Sequence, residues 1–240
     1  MRTFRRGREE LPLRIWAALL FLLAALGPAT WAQPPKPETT PVFHGRTVAK
    51  VMSYLGAPWL EREGRAAQEG IDALLAKMAL EPGQNVADIG VGSGYFARRM
   101  ARSIGPDGYV FAVDIQPEMI ELLKKNMQAE GLTNVVPVLG SEGDPYLPEG
   151  EIDWILLVDV YHEFQQPAEM LAHMLEALAP GGRVALAEYR LHGDSAAHIK
   201  LDHRMSVDQV LAEWEPAGFE LVEVWEELPT QHLFIFARGD

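Results

Sequence analysis

Val86-Ala87-Asp88-Ile89-Gly90-Val91-Gly92-Ser93-Gly94-Tyr95-Phe96 is the stretch that decides the fold. Val86 to Ile89 reads as a short buried strand. Three glycines at alternate positions follow, and then Phe96, Met100 and Ile104 recur at helical spacing. A strand that passes through a glycine loop into a helix opens a βαβ unit, and ligands of open parallel sheets sit at the carboxyl ends of the strands. Glycines there let the backbone turn tightly and approach a ligand with no Cβ in the way. The loop is not the dinucleotide fingerprint, which needs glycine at its first, third and sixth positions. Its sixth position is Tyr95, and an acid, Asp88, precedes the first glycine. With no hydride-transfer constellation in view, this disfavours a nicotinamide-dependent oxidoreductase. Asp114 ends the next strand, 20 residues beyond Gly94, where a carboxylate can accept hydrogen bonds from two ribose hydroxyls.

The pattern alternates outward from the loop. Strands are predicted at Tyr109 to Val113, Val135 to Leu139, Ile152 to Val158 and Val184 to Glu188. Helices are predicted from Pro117 to Gly131, with Ile120, Leu123 and Met127 as the apolar face, and from Pro167, with Met170, Leu171, Met174 and Leu178. Pro180-Gly181-Gly182 reads as a tight turn into the fifth strand, and Ser206 as the cap of a helix running to about Pro216. Leu221 to Trp225 and Leu233 to Ala237 then read as a hairpin. Alternating β and α units imply a parallel sheet with helices on both faces, and the closing hairpin adds one antiparallel strand. Upstream, Ile71, Leu74, Leu75 and Met78 mark an amphipathic helix that Pro82-Gly83 ends.

The N-terminus reads differently. Arg2, Arg5, Arg6, Arg8 and Arg14 precede an apolar run from Ile15 to Leu26, and Thr30-Trp31-Ala32 offers small residues at a cleavage site. Charged, apolar and small segments in that order are a secretory signal peptide. The run of 12 residues is short for a hydrocarbon core of about 30 Å. The expected organisation is a signal peptide over 1–32, a Pro-rich linker and helical extension over 33–80, and the α/β domain over 81–240. The product is expected to be exported, periplasmic or secreted, without stable membrane association after cleavage; an uncleaved anchor is the alternative. Cleavage leaves 16 basic and 32 acidic side chains of the original 21 and 34, and takes the net charge from −13 to −16. That balance disfavours nucleic acid as a partner. The chain has 0 cysteines, which excludes disulfides, Cys-ligated zinc and a thiol nucleophile.

The stretch from Val86 to Phe96 resembles motif I of class I methyltransferases. Asp114 is similar to their ribose-binding acid, and Pro180-Gly181-Gly182 to the turn before their fifth strand. Gly45-Arg46, Val51-Met52, Trp59-Leu60-Glu61-Arg62, Asp159-Val160-Tyr161-His162-Glu163-Phe164 and His203-Arg204-Met205-Ser206 resemble a bacterial subgroup whose members often carry export signals and whose substrates are mostly unassigned. The resemblance implies a Rossmann-like seven-stranded sheet, mostly parallel with one antiparallel strand, and S-adenosylmethionine as cofactor. It places Asp88 and Gly90 near the methionine portion, Gly92 and Gly94 in the loop beside it, Asp114 on the ribose and Ile115 on the adenine. Ser141 or Glu142 is expected at the adenine amino group. Absence of cysteine excludes the thiolate-dependent methyl transfers, arsenite methylation among them.

Asp159, Tyr161, His162 and Glu163 follow the fourth strand, where substrate-facing groups are expected. His162 is the candidate base and Glu163 a candidate to orient or charge-stabilise an amine; capping of the turn is the alternative role for both. Asp159 can also reach the cofactor. The stretch from Tyr189 to Met205, with His192, His198, Asp202 and His203, is expected to cover the site. Its histidine spacing fits no strong ligand pattern, and no metal is expected. Trp59 and Trp214 read as packing residues, although the Trp59 segment can fold over the cofactor. The expected function is methyl transfer to a small molecule. A non-catalytic binding or scaffold protein on the same fold is the alternative, because S-adenosylmethionine is made in the cytosol.

Overall fold

The computed structural model describes residues 41–239. The predicted signal peptide and residues 33–40 of the linker lie outside them. A small antiparallel hairpin, β1 (Val42–Phe43) and β2 (Arg46–Thr47), comes first. Three short helices follow: α1 (Ala57–Leu60), α2 (Arg65–Glu69) and α3 (Ile71–Met78). The predicted helix around Leu74 is thus α3. It stops at Ala79, whose φ of 48° breaks the helix before Pro82-Gly83 is reached.

The glycine-loop strand is β3 (Val86–Ile89), and α4 (Ala97–Ile104) follows it. The chain continues through β4 (Val110–Asp114), α5 (Pro117–Glu130), β5 (Val135–Leu139) and β6 (Ile152–Val158). It ends with α6 (Pro167–Ala177), β7 (Leu178–Tyr189), α7 (Val207–Trp214), β8 (Phe219–Trp225) and β9 (Gln231–Arg238). Pro117 and Pro167 occupy first-turn positions, where a missing N–H costs nothing. Ser206 caps α7 by accepting the Gln209 N–H at 3.2 Å.

The seven strands lie in the order β5-β4-β3-β6-β7-β9-β8. All neighbours run parallel except β9, which is antiparallel to both β7 and β8, as the closing hairpin predicts. Alternate strand residues feed two cores. Val86, Val110, Ala112, Trp154, Leu156 and Ala185 face α3, α4 and α5. Ala87, Ile89, Val113, Ile155, Leu157, Val184 and Leu186 face α6 and α7. Both faces of the central strands are therefore buried, which is why β3 and β6 read as almost continuous apolar runs. Trp214 is fully buried in the second core and stacks on Phe236 with ring centroids 4.6 Å apart.

The fifth α/β strand starts earlier than its sequence suggests. Ile152 pairs with Leu178 and Trp154 with Arg183, so residues 179–182 bulge out opposite Asp153. Pro180-Gly181-Gly182 is a tight turn as expected, with Gly181 at φ +82°, but it is set as a bulge inside β7 and not before it. A Cβ on Gly182 would stand 2.7 Å from the Ile152 carbonyl oxygen, so the bulge requires its absence.

Strand order reverses at β3. The chain first steps outward to β4 and β5, then returns to the other side as β6. The crevice at the carboxyl ends of β3 and β6, between Gly90 and Asp159, is the switch point where such sheets bind ligands. The segment before α3 covers it: the Ala49 N–H donates to the His162 carbonyl at 2.9 Å, and the Gln116 side-chain amide bonds the Met52 carbonyl and the Tyr54 N–H. Among the described residues, no helix is long and apolar enough to cross a membrane.

Candidate functional site

A cavity of about 310 Å³ opens at the switch point, within the range of small-molecule sites. Its lining includes Gly90, Gly92, Asp114, Ile115, Ser141, Glu142, Asp159, His162 and Glu163 of the predicted residues. Asp88 and Gly94 are not at its wall. Asp88 lies buried beneath the loop at 3% exposure, and a Cβ on Gly94 would meet Leu123 of α5 at 2.4 Å, so Gly94 serves helix packing.

Two glycines make the cradle. Gly90 has φ +77° and a Cβ there would sit 2.4 Å from a Val160 methyl; Gly92 has φ +53° and its Cβ would meet Leu60 at 2.6 Å. Any side chain would strain the backbone and fill the crevice. The Gly92 N–H donates to one Asp114 oxygen at 3.0 Å and the Gln116 N–H to the other at 2.9 Å. The carboxylate is thereby aimed, with a lone pair left on each oxygen. Burial raises the Asp114 pKa against the pull of these N–H groups.

Two carboxyl oxygens are buried with no partner: Asp88 Oδ2 and Asp159 Oδ1. Burial pushes the Asp88 carboxyl up to about 7, opposed by the Ala97 N–H and the Arg65 guanidinium. Asp159 is held at φ 52°, a left-handed conformation that strains a non-glycine residue. Its pKa is raised well above the carboxylate range by burial, then by Glu69 and Glu188. Gln231 donates to its other oxygen at 2.8 Å. Orphaned buried acceptors beside a glycine cradle fit a ligand that brings its own donors and positive charge.

On the far wall His162 is 2% exposed, and its Nδ1 lies 2.6 Å from Glu188 Oε2. Burial alone would lower the His162 pKa, but the charge and hydrogen bond of Glu188, with Glu163, raise it on balance. Glu163 accepts the Met52 N–H at 3.0 Å, and burial pushes its pKa up to about 7. The turn carrying both residues, Tyr161–Glu163, is clamped from behind. Arg46 of β2 forks onto Glu213 of α7 at 2.7 and 3.0 Å and donates to the His162 carbonyl at 3.1 Å. Tyr161 donates to the same Glu213 at 2.6 Å.

Sequence reading missed several of these residues. Arg65 lines the cavity from the N-terminal segment; its Nε is paired with Glu69 at 2.9 Å and one amino group with the Leu60 carbonyl at 2.8 Å. Glu188 read only as the end of an apolar strand; an acid in that position was the available signal. Trp59 is not among the missed residues: its segment can fold over the cofactor, and the ring, 42% exposed, lines the cavity with the Arg62 guanidinium 3.8 Å from its centre. Of the expected covering segment, Tyr189, Ile199 and His203 reach the cavity wall.

A family model described as a methyltransferase domain matches residues 80–231. The arsenite methyltransferase of Halobacterium salinarum is 28% identical over 61% of this chain and 40% of its own length. The protein-L-isoaspartate O-methyltransferase of Aeropyrum pernix is 29% identical over 61% of this chain and 48% of its own. The chain thus spans less than half the length of these two relatives. In shape it is similar to a SAM dependent methyltransferase from Aquifex aeolicus, with TM-score 0.72 and 22% identity over 78% of this chain and 98% of that one. With the loop, the aimed Asp114 and the switch-point cavity in place, the chain belongs to the methyltransferase domain family, with S-adenosylmethionine as its cofactor.

Proposed function

We propose that this protein transfers the methyl group of S-adenosylmethionine to a small molecule held against His162. The observation that carries the proposal is one cavity shared by the Gly90–Gly92–Asp114 cradle and the buried His162–Glu188 pair. The cofactor supplies an electrophilic methyl on a sulfonium sulfur. Asp114 receives the ribose hydroxyls, and Ile115, 37% exposed, gives the adenine an apolar face. Asp159, at the cavity wall with its unpartnered Oδ1, takes the amino end, Asp88 adds negative charge from behind the loop, and Arg65 beside both favours the carboxylate. Glu142 is the better acceptor for the adenine amino group, because the Ser141 hydroxyl is engaged with the Asp144 backbone at 3.0 Å.

On the acceptor side, Glu188 accepts a hydrogen bond from His162 Nδ1–H and leaves Nε2 as the base for the acceptor's proton. Met52 and Trp59 close the cavity from above and limit water. A recessed pocket of about 310 Å³ favours a small acceptor over a protein chain, and the net charge of −13 opposes nucleic acid. The relatives' names do not transfer directly. With 0 cysteines the chain has no thiolate with which to bind arsenic.

Calorimetry with S-adenosylmethionine and its demethylated product tests the binding half of the proposal; absence of heat with both refutes it. Transfer of labelled methyl into small-molecule extracts tests turnover. Binding without transfer is the result expected of a scaffold. Residues 1–32 are proposed to export the chain. N-terminal sequencing of the periplasmic or secreted product should begin near Gln33, and a cytosolic chain with an intact N-terminus rejects the signal.

A further inference from the structure

Two histidines and a carboxylate from distant parts of the chain converge on the cavity wall. His162 and Glu163 lie on the turn after β6, and His203 on the 3-10 turn Leu201–His203. One donor atom from each lies within 4.8 Å of the other two. Their remaining partners point the same way. His162 Nδ1 is held by Glu188 Oε2 at 2.6 Å, and His203 Nδ1 by Asp202 Oδ1 at 2.8 Å. With Nδ1–H donated to the carboxylate, each ring in its neutral form presents the Nε2 lone pair. Glu163 uses Oε1 for the Met52 N–H at 3.0 Å, so Oε2 is the oxygen left to it. A carboxylate on the far nitrogen of a histidine fixes the tautomer and raises the donor strength of the near one, the second shell that metal-bound histidines carry. Here it occurs on both rings.

We propose that His162, Glu163 and His203 bind one first-row divalent transition-metal cation at the cavity wall. Two imidazoles and one carboxylate suit zinc, cobalt, iron or manganese, whereas magnesium and calcium prefer all-oxygen sites. Ligands on one such ion, at bond lengths of about 2.0–2.2 Å, stand roughly 3–3.5 Å apart. The cluster therefore has at most about 1.3–1.8 Å to tighten as the ion enters. His203 can make that movement: its side chain is 23% exposed on a short turn, whereas His162 is 2% exposed and tied to Glu188. Three protein ligands leave positions open toward the cavity, as in catalytic sites. The proposal rests on the same pocket as the proposed function and deepens it. With the cation bound, His162 is a ligand and not a free base, and the acceptor is a molecule that presents an oxygen, hydroxyl or carboxylate, to the open positions.

The test uses the untagged full-length chain, stripped with a chelator and dialysed. Cobalt is titrated with visible absorption as the readout, zinc is titrated in competition, and binding of the demethylated cofactor is measured in parallel. One cobalt per chain is expected, with d–d bands that zinc abolishes. His203→Ala, on an exposed turn, should weaken cobalt binding about 100-fold or more while cofactor binding stays unchanged, and Asp202→Asn should weaken it roughly 10-fold. Absence of saturable cobalt binding overturns the site, as does binding that His203→Ala and Glu163→Gln both leave intact. Either result, with cofactor binding retained, leaves the free-base reading of His162 standing. Loss of cofactor binding in the parent chain instead refutes the proposed function.

Discussion

Asp88→Asn should remove a loss of stability that the ligand-free protein suffers as pH rises, while it weakens cofactor binding. Asp88 is 3% exposed, its Oδ2 has no partner, and burial lifts its pKa from 3.8 to about 7. An acid raised in the folded state contributes stability below its unfolded pKa and loses it as pH climbs through the folded value. For Asp88 that window runs from 3.8 to about 7. The slope inside it is about 1.4 kcal/mol per pH unit. Between pH 5 and pH 8.5 the wild type should therefore lose on the order of 3 kcal/mol through this one carboxyl. Asparagine keeps the acceptor for the Ala97 N–H and does not ionise. Its new amide N–H lacks a partner, which costs roughly 1–3 kcal/mol at every pH.

The assay is urea unfolding of both proteins at pH 5 and pH 8.5 without ligand. The variant should be the less stable at pH 5, and its deficit should shrink or reverse at pH 8.5, a relative change of about 3 kcal/mol. Calorimetry should show S-adenosylmethionine binding weakened, by less than the roughly 10- to 100-fold of a direct charge-assisted hydrogen bond, because Asp88 acts from behind the loop. Parallel pH profiles for the two proteins would refute the reasoning, because Asp88 would then be satisfied by something other than a ligand. Undiminished cofactor affinity would separately remove it from the site.

Three further outcomes follow from the geometry. Gly90→Ala should abolish cofactor binding and cost well over the roughly 1–2 kcal/mol of a left-handed alanine, since its Cβ meets Val160 at 2.4 Å; Gly131→Ala, left-handed at φ +66° with nothing within 4 Å, should cost only the backbone part in the same melts. Arg46→Ala should destabilise by about 3–5 kcal/mol in denaturant titration, because Glu213, 0% exposed, loses the cation it is forked to. Glu188→Gln removes the carboxylate that raises the His162 pKa, a contribution to stability present below about pH 6.5 and lost as pH rises through the folded value. Wild type should therefore exceed this variant most at pH 6 and least at pH 9 in metal-free unfolding curves, and a gap that widens with pH would contradict the pairing.

The parts of the site legible in the sequence are those that one βα turn builds alone. Gly90, Gly92 and Asp114 lie at strand ends whose periodicity is local, and Asp114 is placed by β4 pairing in register with β3. The glycines of residues 180–182 were visible as sharp backbone, but their meaning depended on a partner. Only the pairing of Ile152 with Leu178 and of Trp154 with Arg183 sets that turn inside the strand as a bulge. The roof was less legible. Met52 precedes α1, and Arg65 opens α2, helices of 4 and 5 residues that are too short to show a period. Arg65 has meaning only once Glu69 and the Asp88 carboxyl stand beside it.

The acceptor wall shows why the cofactor is easier to read than the chemistry. His162 and Glu188 are 26 residues apart and meet because β6 and β7 are neighbours, with Val158 opposite Ala187. His203 joins them from a further segment, through the Met205 N–H bonded to the Tyr189 carbonyl at 2.9 Å and the Arg190–Met205 bridge. Histidine spacing along the chain therefore carried no metal pattern, although the ring nitrogens converge in space. Arg46 acts at greater remove still, holding the His162 turn across 116 residues through one carbonyl. Each of these links requires the sheet order before it can be seen. On the proposed reading, changes around His203 alter what is methylated without touching the glycine loop, and a family defined by that loop can keep one cofactor while its acceptors diverge.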